Sequence, residues 1–234
     1  MKGKKPVANL MIDASLIGRI CDYADLKKKD HVLEIGAGTG NLSLELAKRA
    51  GHVYAVEKDA RLFGVLCERL KGVGNVEPVC GDALKIALPE FDKVVSNMPY
   101  SISRKAVELL LKSNYGLAVL VFQKEFAEKL VAMPGRENYR FISALAQSSS
   151  DNELLEEIAP EAFSPMPPVL SAVARMRQRR VLEAGYVAFL HRVFDHRNKR
   201  IGGLFRGMDA GPYRDKRGFE LSADELFSAY ELVS

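Results

Sequence analysis

The feature that most constrains this chain is a regular alternation of short β-rich runs with stretches of helical character. β-Branched and other apolar residues concentrate in five runs, at 32–35, 53–56, 76–80, 94–95 and 117–122. Four of these runs are followed by segments with helical spacing of apolar residues, at 42–47, 60–70, 102–111 and 125–131. Strands that alternate with helices in this way predict an α/β fold. We expect a mostly parallel sheet, covered by helices on both faces and built from right-handed βαβ units.

The alternation ends near Pro134, and the next part of the chain is organised differently. A helix is predicted over 139–147. Two further strands are predicted over 154–158 and 169–176, on either side of the proline-rich stretch 163–168. We expect these two strands to pair as an antiparallel hairpin at the edge of the sheet.

From Val181 onward the pattern is helical and basic, which indicates a second unit. The change places a domain boundary near 178–182. We therefore predict an α/β domain over residues 1–178, followed by a small basic helical domain over residues 179–234.

Composition excludes several classes of protein. With 47% apolar residues the chain can bury a sizeable core. Its longest apolar runs, such as 117–122, are much shorter than the roughly 20 residues that a membrane span needs. The basic stretch 1–6 has no apolar segment after it, so we do not expect a signal peptide. The cysteines Cys21, Cys67 and Cys80 are scattered, which fits a reducing cytosol and argues against a disulfide framework or a zinc site.

The net charge of +4 is distributed unevenly along the chain. Residues 1–174 sum to zero, whereas residues 175–217 hold twelve Lys and Arg against four acids, a net charge of +8. The remaining residues hold four acids and no base. A neutral body with a basic appendage indicates a polyanionic partner. A solvated, charged helix face is the alternative explanation.

A glycine-rich loop, EIGAGTGN at 34–41, stands between the first predicted strand and the first helix. Its glycines Gly36, Gly38 and Gly40 allow the backbone to turn tightly and to approach a ligand, and ligands of open α/β sheets bind at this end of the strands. A dinucleotide site would need glycine at position 41, where Asn41 stands. A plain strand–helix turn is a second alternative. The E-x-G-x-G-x-G pattern resembles motif I of class I S-adenosylmethionine (SAM) methyltransferases.

Two acids follow the next two predicted strands. Glu57 ends the second strand, where a carboxylate can accept hydrogen bonds from both ribose hydroxyls of a nucleoside. Asp82 follows the third strand. A solvated loop carboxylate or a helix N-cap would explain either acid alone. Together with the glycine loop, acids at successive strand ends favour a nucleoside cofactor.

The fourth predicted strand ends in Asn97-Met98-Pro99-Tyr100, a sequence suited to a substrate amino group on a flat ring. The exocyclic amine of adenine is a poor nucleophile because its lone pair is delocalised into the ring. The Asn97 side-chain oxygen and the Met98 carbonyl can accept its hydrogens and favour the pyramidal amine that attacks a sulfonium methyl. Pro99 fixes the turn, and Tyr100 can stack on the base. A β-turn with a capping Asn and a packing Tyr is the alternative.

These motifs, in this order, resemble those of the KsgA-type rRNA adenine N6-dimethyltransferases, and the resemblance extends over nearly the whole chain. It is also carried by NLMID at 9–13, QKEFA at 123–127, FSPMPPVLS at 163–171 and FDHRNK at 194–199. The third of these segments matters most, because general SAM enzymes lack it. The resemblance implies a Rossmann-like class I methyltransferase fold and S-adenosyl-L-methionine as the cofactor.

The resemblance also implies roles for individual residues. Asp82 would receive the adenine amino group of the cofactor, and Phe163 would face the target base opposite Tyr100. The implied cofactor contacts are Asn9, Met11, Gly36, Gly38, Gly40, Glu57, Asp82, Ala83 and Asn97. The implied catalytic residues are Asn97, Met98, Pro99, Tyr100 and Phe163. Phosphates of rRNA would be bound by Arg175, Arg177, Arg179, Arg180, Arg197, Lys199 and Arg200, with Arg192 and Arg206 beside them.

The chain departs from the family pattern at a few positions. Ala8 stands where relatives usually have Gln, and Asn198 replaces the middle Arg of the C-terminal element. Gly202 and Gly203 interrupt the helix pattern at a cost of roughly 1 kcal/mol each, and the C-terminal region is short for the family. His191 and His196 lack companions that would make a metal site and are interpreted as surface residues. We therefore expect RNA docking to differ from that of better-known members.

The predicted function is SAM-dependent N6,N6-dimethylation of two adjacent adenosines in a small-subunit rRNA loop near the 3′ end. A target base leaves its stack most easily in a loop. We expect a cytoplasmic monomer that acts on immature small subunits, without metal or membrane. One alternative is a monomethylating or large-subunit rRNA methyltransferase of the antibiotic-resistance type. Another is a ribosome-assembly factor that binds immature subunits without catalysis. The 163–171 motif and the basic appendage disfavour DNA or a protein amide as substrate.

Overall fold

Runs of β-branched and apolar residues form a seven-stranded sheet and a separate two-stranded ladder in a computed structural model, which describes residues 9–234. In chain order the strands are β1 (Leu10–Met11), β2 (His31–Ile35), β3 (His52–Glu57), β4 (Val76–Cys80), β5 (Lys93–Asn97), β6 (Leu117–Gln123), β7 (Ser150–Ile158), β8 (Phe163–Ser164) and β9 (Ser171–Gln178). The family departure noted at Ala8 lies outside the described residues.

The large sheet has the order β4-β3-β2-β5-β6-β9-β7. The five strands from β4 to β6 are parallel, whereas β9 runs antiparallel to both β6 and β7. The predicted α/β class, with its mostly parallel sheet and antiparallel edge hairpin, is confirmed. The second strand of the hairpin enters the sheet beside β6, so that β7 becomes the edge strand. Among the residues that the structure describes, strand β1 pairs only with β8, and neither strand was predicted.

Helices cover both faces of the sheet. They are α1 (Ala14–Tyr23), α2 (Asn41–Arg49), α3 (Ala60–Arg69), α4 (Ser103–Leu110), α5 (Lys124–Leu130), α6 (Phe141–Ser149), α7 (Ala184–Asp195), α8 (Ile201–Leu204) and α9 (Ala223–Val233). Helix α1 was not predicted, although its start is encoded locally. Asp13 caps it by accepting hydrogen bonds from the backbone N–H groups of Ser15 and Leu16.

Two apolar cores lie on the two faces of the sheet. One of them packs Leu33 and Leu120 of the sheet together with Leu145 of α6, and it continues into α7 and α9 through Tyr186 and Leu226. The C-terminal helices therefore share a core with one face of the α/β part. The boundary near 178–182 stays a prediction.

The other core packs α1, α2 and α3 against the opposite face and includes Phe163 of β8. It thereby connects the outer helices to the two-stranded ladder. Between residues 9 and 234, no helix has both the length and the apolar character required to cross a bilayer.

Candidate active site

The glycine loop between β2 and α2 has a backbone that glycine alone adopts without strain. Gly36, Gly38 and Gly40 have φ angles of +77°, +59° and +86°. A Cβ atom on Gly36 would lie 2.6 Å from Cγ of Pro99, and one on Gly38 would lie 2.6 Å from Cδ2 of Leu10. The Asn97–Tyr100 segment and the N-terminal segment therefore touch the loop at the positions where side chains would stand.

Glu57, at the end of β3, holds the glycine loop in place by a hydrogen bond. Its Oε2 accepts a hydrogen bond from the Gly38 N–H at 2.8 Å, and its Oε1 accepts one from the Asp59 N–H at 2.7 Å. The residue is only 7% exposed. Each carboxylate oxygen has a second lone pair, so Glu57 keeps the capacity to accept further hydrogen bonds, and its predicted contact with ribose hydroxyls stays a prediction.

Asp82 after β4 lies at the neighbouring strand end. Its Oδ2 is 2.8 Å from Nζ of Lys58, and its Oδ1 accepts a hydrogen bond from the Leu84 N–H at 3.1 Å. The hydrogen bond from Lys58 is the main cause that lowers the pKa of Asp82, so the carboxylate is ionised at neutral pH. Ala83 beside it is buried. An ionised carboxylate can accept a hydrogen bond from the amino group of an adenine ring.

Glu34 is a buried acid beneath the same loop, and the sequence patterns do not predict a role for it. It is 2% exposed, and Oγ of Ser43 in α2 donates a hydrogen bond to it at 2.5 Å. Burial is the main cause that raises the pKa of Glu34 to about 8, and the bond from Ser43 opposes that shift. At neutral pH the carboxyl group is therefore mostly protonated, and it links the end of β2 to the first turn of α2.

Stability is expected to fall with rising pH because of Glu34. The pKa of the folded state, about 8, lies above the value of 4.5 for a free carboxyl. The stabilisation is therefore complete below pH 4.5 and is lost as the pH rises through 8. Urea unfolding at pH 5, 6.5 and 8 should show a decline on the order of 3 kcal/mol that Glu34→Gln, neutral throughout, lacks. Parallel pH curves for the two proteins would contradict this assignment.

Asn97 is held so that its amide oxygen remains available. Its Nδ2 donates a hydrogen bond to the Asn9 carbonyl oxygen at 2.9 Å, and this contact fixes which side of the amide is oxygen. The backbone N–H of Met98 donates to the Val121 carbonyl oxygen at 3.0 Å. Within residues 9–234, neither Oδ1 of Asn97 nor the Met98 carbonyl accepts a hydrogen bond. The two predicted acceptors are therefore without a protein partner in this range, although Met98 is only 1% exposed, and their contact with an amine stays a prediction.

Tyr100 and Phe163 differ in accessibility. Tyr100 is half-buried, and its hydroxyl lies 2.6 Å from Oγ of Ser171, the first residue of β9. Burial is the main cause that raises the pKa of this hydroxyl. Phe163 is only 1% exposed and faces Met11 across the β1–β8 ladder. Stacking of Phe163 on a base stays a prediction, and it requires the ring to become accessible.

The N-terminal segment lies across the glycine loop, where two side chains hold it in addition to the β1–β8 ladder. Asn97 holds the Asn9 carbonyl, and Nδ2 of Asn41 donates a hydrogen bond to the Met11 carbonyl oxygen at 2.6 Å. In the sequence, Asn41 only argues against a dinucleotide site. Its tether to Met11 depends on a contact 30 residues away, and the local sequence gives no signal for it.

The predicted RNA contacts have different surroundings. Four of them pair with acids, in the pairs Arg175–Glu153 (2.6 Å), Arg179–Asp151 (3.3 Å), Arg180–Asp224 (3.7 Å) and Arg200–Asp215 (3.1 Å). Arg177 and Lys199 have no acid within ion-pair distance in the described part of the chain. These six residues therefore differ in how much free charge they offer to RNA.

Arg197 is directed toward the protein itself. Its guanidinium lies 4.6 Å from the centre of the Phe219 ring and donates hydrogen bonds to the carbonyl oxygens of Arg136 and Glu137 at 3.3 and 3.4 Å. Burial lowers the pKa of this group. Arg197 therefore connects α7 to the segment before α6, and its predicted contact with RNA stays a prediction.

Comparisons with known proteins were made against a family model, curated relatives and solved structures. The family model described as ribosomal RNA adenine dimethylase matches residues 4–206. A probable ribosomal RNA small subunit methyltransferase A from Methanothermobacter thermautotrophicus is 42% identical over 199 residues, which cover 85% of this chain and 72% of that relative. The protein of the same description from Methanosarcina mazei is 40% identical over 253 residues, covering 100% and 93%.

Two solved structures share the whole architecture. A dimethyladenosine transferase from Plasmodium falciparum superimposes with a TM-score of 0.83 at 25% identity, covering 94% of this chain and 95% of that one. The 23S rRNA methyltransferase ErmE superimposes with a TM-score of 0.74 at 28% identity, covering 96% and 99%.

Proposed function

The chain belongs to the ribosomal RNA adenine dimethylase family, and from this premise we propose that it dimethylates N6 of two adjacent adenosines in a small-subunit rRNA loop near the 3′ end. The relatives at 42% and 40% identity are described as small-subunit enzymes, whereas the 23S enzyme is 28% identical. This difference favours small-subunit rRNA over the large-subunit alternative.

The observation that carries the proposal is the fixed orientation of two hydrogen-bond acceptors at the end of β5. Asn97 is oriented by its bond to the Asn9 carbonyl, so Oδ1 cannot exchange places with Nδ2 without losing that bond. An oriented acceptor beside the Met98 carbonyl can bind the two hydrogens of an exocyclic amine. Because the acceptors are fixed before the substrate arrives, no reorganisation is needed when the amine becomes pyramidal.

The geometry of the site supports S-adenosylmethionine as the cofactor. A Cβ atom on Gly36 or Gly38 would collide with Pro99 or Leu10, so only glycine lets these two segments approach the loop backbone closely. Glu57 would hold the ribose and Asp82 the adenine amino group. When bound, the cofactor supplies a methyl group on a sulfonium sulfur.

The protein's own part in the reaction is mainly positional. Asn97 and Met98 hold the amine hydrogens, and Tyr100, fixed by Ser171, offers its ring to the base. The amine proton becomes acidic once the nitrogen is methylated, so no strong general base is required. Alignment of the amine with the methyl group then accounts for most of the rate enhancement.

The maturation stage of the substrate, the cellular location and the oligomeric state are also proposals. We infer that the enzyme acts on immature small subunits in the cytoplasm and works as a monomer. The net charge of +8 over residues 175–217 supports binding of an RNA-rich particle. Because a single copy of the chain carries this charge, RNA binding does not require a dimer.

The test is methylation of small ribosomal subunits from cells that lack this modification. We would incubate them with labelled SAM and the protein, digest the RNA and identify nucleosides by mass spectrometry, with large-subunit rRNA in parallel. The expected product is N6,N6-dimethyladenosine from the small subunit. Monomethyladenosine from the large subunit would support the resistance-type alternative. No methylated adenosine, despite confirmed SAM binding, would contradict the proposed reaction on this particle.

A further inference from the structure

Exposed apolar side chains are concentrated beside the candidate active site. Among the residues that the structure describes, ten large apolar side chains are exposed, and three of them stand within five positions of each other, namely Met166, Val169 and Leu170. A fourth, Ile12, is 54% exposed, and its N–H donates a hydrogen bond to the Ala162 carbonyl oxygen at 2.9 Å. We call these four exposed side chains the apolar rim. Concentrations of exposed apolar residues mark interaction sites.

The 164–170 loop, which carries three side chains of the apolar rim, is fixed to the candidate site at both ends. At its beginning it follows Phe163 of the β1–β8 ladder. At its end, the Leu170 carbonyl oxygen accepts a hydrogen bond from the Lys124 N–H at 2.9 Å. The next residue of the chain holds the hydroxyl of Tyr100. The loop therefore connects the two aromatic residues that are predicted to enclose the target base.

Three prolines limit the motion of this loop around Met166. Pro165, Pro167 and Pro168 each have a φ angle restricted to about −65°. Pro167 is buried, whereas Met166 beside it is 63% exposed, so the loop is anchored next to its most exposed apolar side chain. A residue on a stiff backbone loses little conformational freedom when it binds a partner. Met166 is therefore a preformed apolar projection at the edge of the site.

The position of the apolar rim favours RNA bases as its partner. A target adenosine has to leave its stack before its amine can reach the acceptors at the end of β5. The nucleotides on either side stay attached to it, so they lie close to the opening of the site, beside the rim. The 164–170 loop holds no charged residue and so has no cation for a phosphate. The faces of bases, in contrast, are apolar and accept Met, Leu or Ile side chains between them.

We propose that Met166 enters the gap that the target adenosine leaves in its stack and thereby keeps that adenosine in the active site. Val169, Leu170 and Ile12 contact the faces of the neighbouring bases. A side chain in the gap replaces part of the stacking that the displaced base gives up, so the fraction of complexes with the base in the site rises. The inference rests on the proposed function for the identity of the RNA.

The first test observes the position of the base without methyl transfer. Small subunits would be assembled on rRNA in which 2-aminopurine replaces one or the other of the two adjacent adenosines, because the fluorescence of this base rises when it leaves a stack. Binding of the parent chain should raise the fluorescence in at least one of the two RNAs, and Met166→Ser should raise it much less. No rise with the parent chain in either RNA would contradict the proposal, because the base would then stay stacked.

Met133→Ser is the matched control for the loss of an exposed methionine. Met133 is 68% exposed and lies between α5 and α6, outside the apolar rim. This variant should raise the fluorescence as much as the parent chain does. Circular dichroism would establish that both variants fold, as expected for substitutions at exposed positions. Equal effects of Met133→Ser and Met166→Ser would overturn the assignment to the rim.

The second test removes the stack rather than the side chain. On unmodified small subunits at saturating concentration, Met166→Ser is expected to lower the methylation rate about 10-fold, and Met166→Leu, which keeps an apolar side chain, should restore most of it. On rRNA with an abasic nucleotide in place of the adenosine next to the target, no second base closes the gap. The rates of the parent chain and Met166→Ser should then agree within about 2-fold. A loss of the original size on the abasic RNA would overturn the proposal, because Met166 would then act on the structure of the protein.

Failure of this inference and failure of the proposed function give different results. The fluorescence of 2-aminopurine reports on the position of the base, whereas mass spectrometry of the nucleosides reports on the reaction. A parent chain that raises the fluorescence more than Met166→Ser does, but yields no methylated adenosine, would keep the inference and contradict the reaction. A parent chain that methylates small subunits, with Met166→Ser equal to it in both assays, would contradict the inference alone.

Discussion

Asn97→Ala is expected to lower the rate of methyl transfer at saturating SAM and RNA by about 10²–10³-fold. The substitution removes Oδ1, the oriented acceptor for the amine, and leaves the Met98 carbonyl alone to hold two hydrogens. An unassisted amine stays conjugated with its ring and is a weaker nucleophile. The measurement is single-turnover methylation of small subunits at saturating concentrations of both substrates, with SAM affinity determined separately by calorimetry.

A control is needed because Asn97 also tethers the N-terminal segment. Asn41→Ala removes the other side-chain hydrogen bond to that segment, the 2.6 Å bond to the Met11 carbonyl, and removes no acceptor for the amine. We expect Asn41→Ala to weaken SAM binding and to change the saturated rate less than about 5-fold. If both variants lost the saturated rate equally, Asn97 would act through the segment it holds, and its role as the amine acceptor would be wrong.

The sheet could be predicted because each strand carries its own local signal. The runs that became β2 to β6 are short, apolar and separated by helical spacing, and their parallel order follows from the crossovers. Strands β1 and β8 have two residues each, too few for any periodicity. They form because Leu10 pairs with Ser164, a partner far away in the chain, and that contact exists only after the sheet has folded.

For the candidate site, the sequence predicts residues but not the contacts that orient them. The motifs identified Asn97 and Glu57, whereas the bonds that orient them come from Asn9 and from the backbone of Gly38. The burial of Phe163 could not be predicted either, because the sequence of a proline-rich loop does not indicate whether its aromatic residue is buried or exposed. The protonated state of Glu34 could not be predicted either, because it results from desolvation by the surrounding core.

The same limit of sequence-based prediction applies to the charges of the basic appendage. The sequence gives the sign of each residue, but the compensation of that charge depends on strand register. Arg175 meets Glu153 because β9 pairs with β7 in a register that places these two residues opposite each other. The acids that neutralise the predicted RNA contacts are thus supplied by other elements, and only the fold shows which cations remain uncompensated.

Gly36→Ala is expected to abolish cofactor binding, with at least a 100-fold loss of SAM affinity. Two effects combine at this position. The φ angle of +77° is strained for any residue with a Cβ atom, and that atom would lie 2.6 Å from Cγ of Pro99. Relief of the contact requires Pro99 or the loop to move, and either movement separates the glycine cradle from the end of β5. Calorimetry with SAM measures the loss directly.

Gly72→Ala is the matched control for backbone strain. Gly72 has a φ angle of +82°, close to that of Gly36, yet a Cβ atom there would meet nothing within 4 Å. The control should lose about 1–2 kcal/mol of unfolding free energy from strain alone and bind SAM like the parent chain. Gly36→Ala should lose more stability than this in urea unfolding, because collision adds to strain. Equal destabilisation of the two variants, with SAM affinity intact in both, would show that the loop does not depend on close approach to Pro99. Binding would then have to come from Glu57 and Asp82 without a preformed glycine cradle.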